Sequence, residues 1–230
     1  MDITGLQKTT LLDYPGKIAC TVFFAGCNFR CPFCHNASLV TTDHRPQPLM
    51  DDEALLAFLA TRRRKLDGVC ITGGEPTLQP ELPQLLRKIR DMGFSVKLDT
   101  NGSRPAVLKQ LVNDGLVDYV AMDIKSSPEN YDRLCGTPTD LEAIRESAAF
   151  LMADSVDHEF RTTLVKPLHT QQDMISIGRW LRGAKRYFLQ QFVDSGDLIG
   201  SGMEAFSAKE MESLRQAVLP LIPQTSLRGI

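Results

Sequence analysis

The chain has 230 residues, 43% of them hydrophobic, enough apolar surface to bury one substantial core in the size range of a single α/β domain. Its formal charge of −2 supplies no field to attract nucleic acid or an anionic membrane surface, so neither partner is expected. No stretch approaches the roughly 20 apolar residues that span a bilayer, and the N-terminal stretch scatters Asp2, Lys8, Asp13 and Lys17 among apolar residues, unlike the uncharged core of a secretory signal. We therefore expect a single cytoplasmic domain over residues 1–230.

Six short strand-like runs follow one another, at residues 18–24, 68–72, 94–98, 117–122, 158–165 and 186–192. Most are apolar without strict alternation, as expected of strands covered on both faces. Helical stripes fall between them: Leu55, Phe58 and Leu59; then Leu82, Leu85, Leu86 and Ile89; then Leu108, Leu111 and Val112. The basic run Arg62-Arg63-Arg64-Lys65 closes the first of these patterns, where cations suit the helix dipole and face water. Thr139 with Glu142, and Ser207 with Glu210, have the spacing of capping boxes that start later helices. Strand then helix, repeated about six times, implies parallel strands joined by right-handed crossovers. Two α/β architectures fit, an open doubly wound sheet or a partial barrel of about six βα units with outer helices, and in both a ligand sits beyond the carboxyl ends of the strands.

Those ends carry the polar chemistry. The first run leads into Cys27, Cys31 and Cys34, the second into Gly73-Gly74-Glu75-Pro76, the third into Asp99-Thr100-Asn101-Gly102, and the fourth into Asp123 and Lys125. The fifth contains Arg161 and the sixth Gln190 and Gln191. In a reducing compartment, clustered cysteines read as metal ligands or redox groups rather than disulfides. The spacing Cys-x3-Cys-x2-Cys lets one compact loop converge three soft thiolates on an inorganic centre. A cubane iron–sulfur cluster held this way keeps one iron open for a ligand, whereas zinc completed by His35 would be a structural site. Cys20 and Cys70 fall inside strand runs and read as core, Cys135 in "LCGTP" as a packing or loop residue, and Trp180 as helix packing. His44, His158 and His169 are scattered and receive no role.

The loop "CNFRCPFC" resembles the signature of the radical S-adenosylmethionine (radical SAM) superfamily, and "GGEP" at 73–76 resembles its second hallmark, in the usual order. "LLDYPGK" before the cysteines, "CHN" after them, and "LDTNG" and "MDIK" downstream are similar to the activating enzymes of glycyl radical proteins. Within these the chain most resembles the short-form anaerobic ribonucleoside-triphosphate reductase activating proteins, which are related to pyruvate formate-lyase activating enzymes. The likeness covers nearly the whole chain and weakens after residue 192, the region that faces the partner in such folds.

The resemblance implies a partial (βα)6 barrel, the radical SAM core. It implies that Cys27, Cys31 and Cys34 hold a [4Fe-4S] cluster whose open iron chelates S-adenosylmethionine. One electron then cleaves the sulfonium to a 5′-deoxyadenosyl radical, which takes a hydrogen atom from a glycine Cα of a partner glycyl radical enzyme. Gly73, Gly74, Glu75 and Pro76 would meet the methionine end, the glycines giving close backbone approach and Glu75 accepting from the ammonium. Phe33 and His35 would meet the adenine, and Lys125 and Arg161 the carboxylate or ribose. Asp99, Asn101 and Asp123 complete the expected cofactor-binding set. The resemblance adds a monovalent cation held by Asp99, Thr100 and Asp123; the alternative is that Asp99 and Thr100 only build a turn with Asn101-Gly102. With no further cysteine cluster, the electron must come from an outside donor such as flavodoxin or ferredoxin. Two other readings stand beside this one: a radical SAM enzyme acting on a small molecule such as a nucleobase precursor, and a zinc-stabilised binding protein.

Overall fold

The computed structural model describes residues 1, 3–40 and 47–230; His44 lies outside the described residues. The chain groups into two compact units that exchange short segments: residues 1–28, 38–100 and 104–121 in the first, and 29–37, 101–103 and 122–230 in the second.

The first unit opens with β1 (Ile3–Thr10), which pairs antiparallel with β2 (Ala19–Phe24). A one-turn helix α1 (Ala37–Val40) and then α2 (Asp52–Ala60) follow, α2 capped by the Asp51 side chain on the Ala54 N–H. Parallel pairing takes over at β3 (Gly68–Gly73), whose register sets Ala19 beside Gly68 and Phe24 beside Gly73. Helix α3 (Leu82–Asp91) buries the stripe Leu82, Leu85, Leu86 and Ile89 seen in the sequence, and leads to β4 (Ser95–Thr100), parallel to β3. Helix α4 (Pro105–Asn113) begins on a proline, which tolerates the first helical turn, and buries Leu108, Leu111 and Val112. Strand β5 (Tyr119–Asp123) ends the unit at Ala121 and carries the chain into the second.

The second unit continues through α5 (Tyr131–Cys135), terminated by Gly136 in the left-handed conformation. Next come α6 (Leu141–Met152), β6 (Asp157–Leu164), α7 (Gln171–Trp180), β7 (Tyr187–Gln191), α8 (Ala208–Val218) and β8 (Thr225–Arg228). Strands β6, β7 and β8 are parallel and pair in chain order. The capping box at Ser207 and Glu210 forms as expected. That of α6 does not: Asp140 is the cap, and Thr139 instead donates to Asp132. A further box, Thr170 with Asp173, starts α7.

All six strand runs are strands, alternating with helices as an α/β fold requires. The addition is β1 and β8, for which the sequence offered no apolar run. Among the described residues no helix is long and apolar enough to cross a membrane.

Candidate active site

In the first unit the "GGEP" stretch grips the approach to Cys27. The Gly74 N–H donates to Phe24 O at 2.8 Å, the Glu75 N–H to Gly26 O at 2.8 Å, and Gln79 Nε2 to Ala25 O at 3.0 Å. Gly26 N–H in turn donates to Leu39 O at 2.7 Å, so residues 24–26 are held from both sides. This gives the two glycines a reason that the sequence did not supply. A Cβ on Gly74 would stand 1.9 Å from Gly26 O, and one on Gly73, where φ is +123°, would stand 2.3 Å from Phe24 N and O. Both glycines are required by the protein's own backbone before any ligand is considered.

Glu75 is buried and also committed locally. Its Oε1 accepts from the Thr77 N–H at 3.1 Å and from Thr100 Oγ1 at 2.8 Å, which ties the short 3-10 turn Pro76–Leu78 to the end of β4. Asp99 pairs with Lys97, a lysine 2% exposed on the same strand, and Cys70 Sγ lies 3.8 Å from both Lys97 Nζ and Asp99 Oδ1.

In the second unit the cysteine loop is braced on several sides. The Cys34 N–H donates to Cys31 O at 3.0 Å, closing a tight turn, and the Arg30 N–H donates to Cys135 O at 2.7 Å. The segment after β7 runs along the same loop: Gly200 N–H donates to Pro32 O at 2.8 Å and Ser195 Oγ to His35 O at 3.2 Å. Phe33 is buried, edge-on to His169, and the half-buried His35 stacks on Phe192. Burial, then the charge of Lys125, lowers the His35 pKa.

Cys31 is buried and hydrogen-bonded to the thiol of Cys135; that bond lowers the Cys31 pKa against the opposing effect of burial. Burial raises the pKa of Cys34. None of the six cysteines is in a disulfide. No three His, Cys, Asp or Glu side chains among the described residues converge as around a single metal ion; Cys27 belongs to the first unit, Cys31 and Cys34 to the second. The donor chemistry nevertheless fits an iron–sulfur group: three soft thiols spaced Cys-x3-Cys-x2-Cys along the chain, none in a disulfide.

Asp123, at the end of β5, takes Arg161 Nε on Oδ1 at 2.9 Å and Lys125 Nζ on Oδ2 at 3.1 Å. Burial works to raise its pKa, but the charges of Arg161 and Lys125 outweigh burial and hold it down at about 2. Asp99 and Asp123 are thus each neutralised inside their own unit, so mutual repulsion is no reason to require a cation there. Asn101 does build the turn expected of it, accepting the Ser103 N–H at 2.9 Å.

His169, which received no role from sequence, is wired into this group. Its Nδ1 accepts the Val165 N–H at 3.2 Å, which leaves the proton on Nε2, 2.9 Å from Lys125 O. The capping box at Thr170 was the nearest local signal for the fixed position of this histidine.

Residues 21–181 match the radical SAM superfamily. The chain belongs to that superfamily. Its members use a [4Fe-4S] cluster and S-adenosylmethionine, and the match overturns the reading as a zinc-stabilised binding protein. Among relatives, the chain is 31% identical over 195 residues to the "Putative glycyl-radical enzyme activating enzyme" of Methanocaldococcus jannaschii, covering 83% of this chain and 79% of that one. It is 32% identical over 126 residues to the pyruvate formate-lyase-activating enzyme of Clostridium pasteurianum, about half of each chain. Similarity of the same order, 30% over 128 residues, links it to half of a 7-carboxy-7-deazaguanine synthase of Thermococcus kodakarensis. The radical SAM fold is shared with SuiB of Streptococcus suis bound to its precursor peptide, with a TM-score of 0.73 over 91% of this chain and 48% of that one at 13% identity. A domain of a pyruvate-formate lyase-activating enzyme from Bacteroides vulgatus aligns over 70% of this chain and 99% of its own, with a TM-score of 0.57 at 18% identity.

Proposed function

We propose that this radical SAM protein activates a glycyl radical enzyme, an anaerobic ribonucleotide reductase, by taking a hydrogen atom from a glycine Cα of that partner. The observation that carries the activating role is the 31% identity, over most of both chains, to a relative described as a glycyl-radical enzyme activating enzyme; the ribonucleotide reductase as partner rests on the sequence resemblance alone. The motifs "LLDYPGK", "LDTNG" and "MDIK" support the same reading.

Cys27, Cys31 and Cys34 are the proposed ligands of the [4Fe-4S] cluster. When bound, the cluster supplies the one electron that splits the sulfonium of S-adenosylmethionine into methionine and the 5′-deoxyadenosyl radical. The chain's own residues hold and shield the reactants. Residues 73–79 fix the backbone leading to Cys27, so the first ligand is positioned by hydrogen bonds rather than by its own side chain. Glu75 and Pro76 are assigned to the methionine end with the two glycines, and Phe33 and His35 to the adenine. Arg161 and Lys125 both pair with Asp123, which holds the two cations side by side, and they are the proposed partners of the carboxylate or ribose of S-adenosylmethionine. Asp99, Thr100 and Asn101 belong to the same set, with a monovalent cation near Asp99, Thr100 and Asp123 as its optional member. The electron comes from an external donor of the flavodoxin or ferredoxin type.

The test is electron paramagnetic resonance of the reduced protein, S-adenosylmethionine and a candidate glycyl radical enzyme. A doublet on the partner protein is the expected result, and Cys31→Ala should abolish both the doublet and 5′-deoxyadenosine formation. The second reading, a nucleobase-precursor enzyme, is favoured by the likeness to 7-carboxy-7-deazaguanine synthase. Turnover of a free metabolite with no partner protein present would replace the first reading by the second.

A further inference from the structure

Cys135 ends α5 in a place that its lone position in the sequence does not suggest. Its backbone carbonyl accepts the Arg30 N–H at 2.7 Å, and its thiol is hydrogen-bonded to that of Cys31. The next residue, Gly136, has φ of +65°, and a Cβ there would stand 2.2 Å from Arg30 O, so only glycine lets these two stretches of backbone touch. The backbone hydrogen bond joins Cys135 to the immediate chain neighbour of Cys31, and a disulfide needs its two Cα atoms about 5.5–6 Å apart. The two thiols, hydrogen-bonded to one another, are the side chains this backbone contact brings together.

We propose that Cys31 and Cys135 form a reversible disulfide whenever iron is lost from the chain. The assignment of Cys31 as a cluster ligand rests on the function proposed above; the disulfide itself rests on the contact. The oxidant is hydrogen peroxide. Cys31, at 7% exposure against 0% for Cys135, is the thiol reached first. Its sulfur is oxidised to a sulfenic acid, with release of one water. The Cys135 sulfur then attacks that of Cys31, the S–S bond forms, and a second water leaves, so two thiols and one peroxide give one disulfide and two waters. A dithiol reverses the step by exchange. The disulfide keeps the Cys31 sulfur off the irreversible rungs of the oxidation ladder, available for a new cluster.

The experiment treats the iron-depleted full chain and the anaerobically loaded chain with one equivalent of hydrogen peroxide, then alkylates, digests without reduction and maps the peptides by mass spectrometry. A Cys31–Cys135 linked peptide should dominate in the iron-depleted chain. Cys135→Ser and Cys135→Ala should lack it, accumulate sulfinic acid at Cys31, and regain severalfold less iron after dithiothreitol and reconstitution than the wild type. Recovery of Cys135 as an alkylated thiol, with Cys31 joined elsewhere or over-oxidised, would overturn the proposal. The loaded chain should resist linkage until its iron is released. Equal linkage in both forms would leave the disulfide standing and remove Cys31 from the cluster ligands.

Discussion

Arg161 and Lys125 divide the two oxygens of Asp123 between them, at 2.9 and 3.1 Å. One carboxylate therefore draws two cations together at the end of β5. Asp123→Asn would remove the charge that both cations share, and because the carboxylate is 32% exposed the cost should be modest, about 1–2 kcal/mol. The pH dependence gives a sharper reading. A carboxyl held down at about 2 in the folded chain stabilises it fully above the unfolded value of about 3.9, and that contribution is lost as pH falls through the folded value. Thermal unfolding should show the wild type losing its advantage over Asp123→Asn in that acid window. Parallel curves for the two proteins down to the acid limit would refute the pairing.

Lys97 and Asp99 form a more deeply buried pair, with side chains 2% and 14% exposed. Removing one partner of such a pair strands a charge in poor dielectric, so Lys97→Met should cost about 3–5 kcal/mol. Adding Asp99→Asn should restore part of that loss, because the charge that needed Lys97 is then gone. Urea unfolding of the four proteins of the cycle measures the coupling. Strictly additive single and double variants would show that the pair does not act as one.

Gly74→Ala tests the clamp on the cysteine loop. The new Cβ would lie 1.9 Å from Gly26 O, so the backbone leading to Cys27 must move, at a cost of about 2–4 kcal/mol. Iron content after anaerobic reconstitution should fall with it. Gly16→Ala is the control: φ there is +72° but nothing lies within 4 Å of the added carbon, so only the left-handed strain of about 1–2 kcal/mol applies and iron content should hold. Normal iron in Gly74→Ala would mean that the loop is not positioned by this contact.

The buried strands and the ends they lead to were legible in the sequence because parallel strands covered on both faces read as apolar runs. β1 was not, since only Ile3 and Thr10 at its two ends are buried and its middle is the polar Gln7-Lys8-Thr9. β8 was hidden for a similar reason: four residues, Thr225-Ser226-Leu227-Arg228, with only Thr225 buried. The cysteine spacing was visible because its members are neighbours in the chain. The partner of Cys31, Cys135, and the role of His169 were invisible because their contacts are made by residues distant in sequence or by backbone atoms, which carry no residue identity. "GGEP" is visible as a motif in the sequence, yet the close approach of Gly74 to Gly26 comes from the register of β2 with β3.

His169 bridges two backbone groups, the Val165 N–H and Lys125 O, with its neutral ring. The ring is buried, and burial lowers its pKa below the ordinary histidine value. In the window between the lowered value and the usual ~6.5, the unfolded chain binds a proton that the folded chain refuses, so stability falls as the medium is acidified through that window. His169→Ala should remove this slope and also leave a buried donor and acceptor unpaired, a loss of about 2–4 kcal/mol at neutral pH. His169→Gln, whose amide offers both a donor and an acceptor, should recover part of the neutral-pH stability while staying flat with pH. Because Lys125 O is one of the two groups held, the Ala variant should also loosen the Lys125 side chain, read as a rise in the apparent dissociation constant for S-adenosylmethionine. A wild-type pH slope retained in His169→Ala would show that another group titrates there and that the ring is not the bridge.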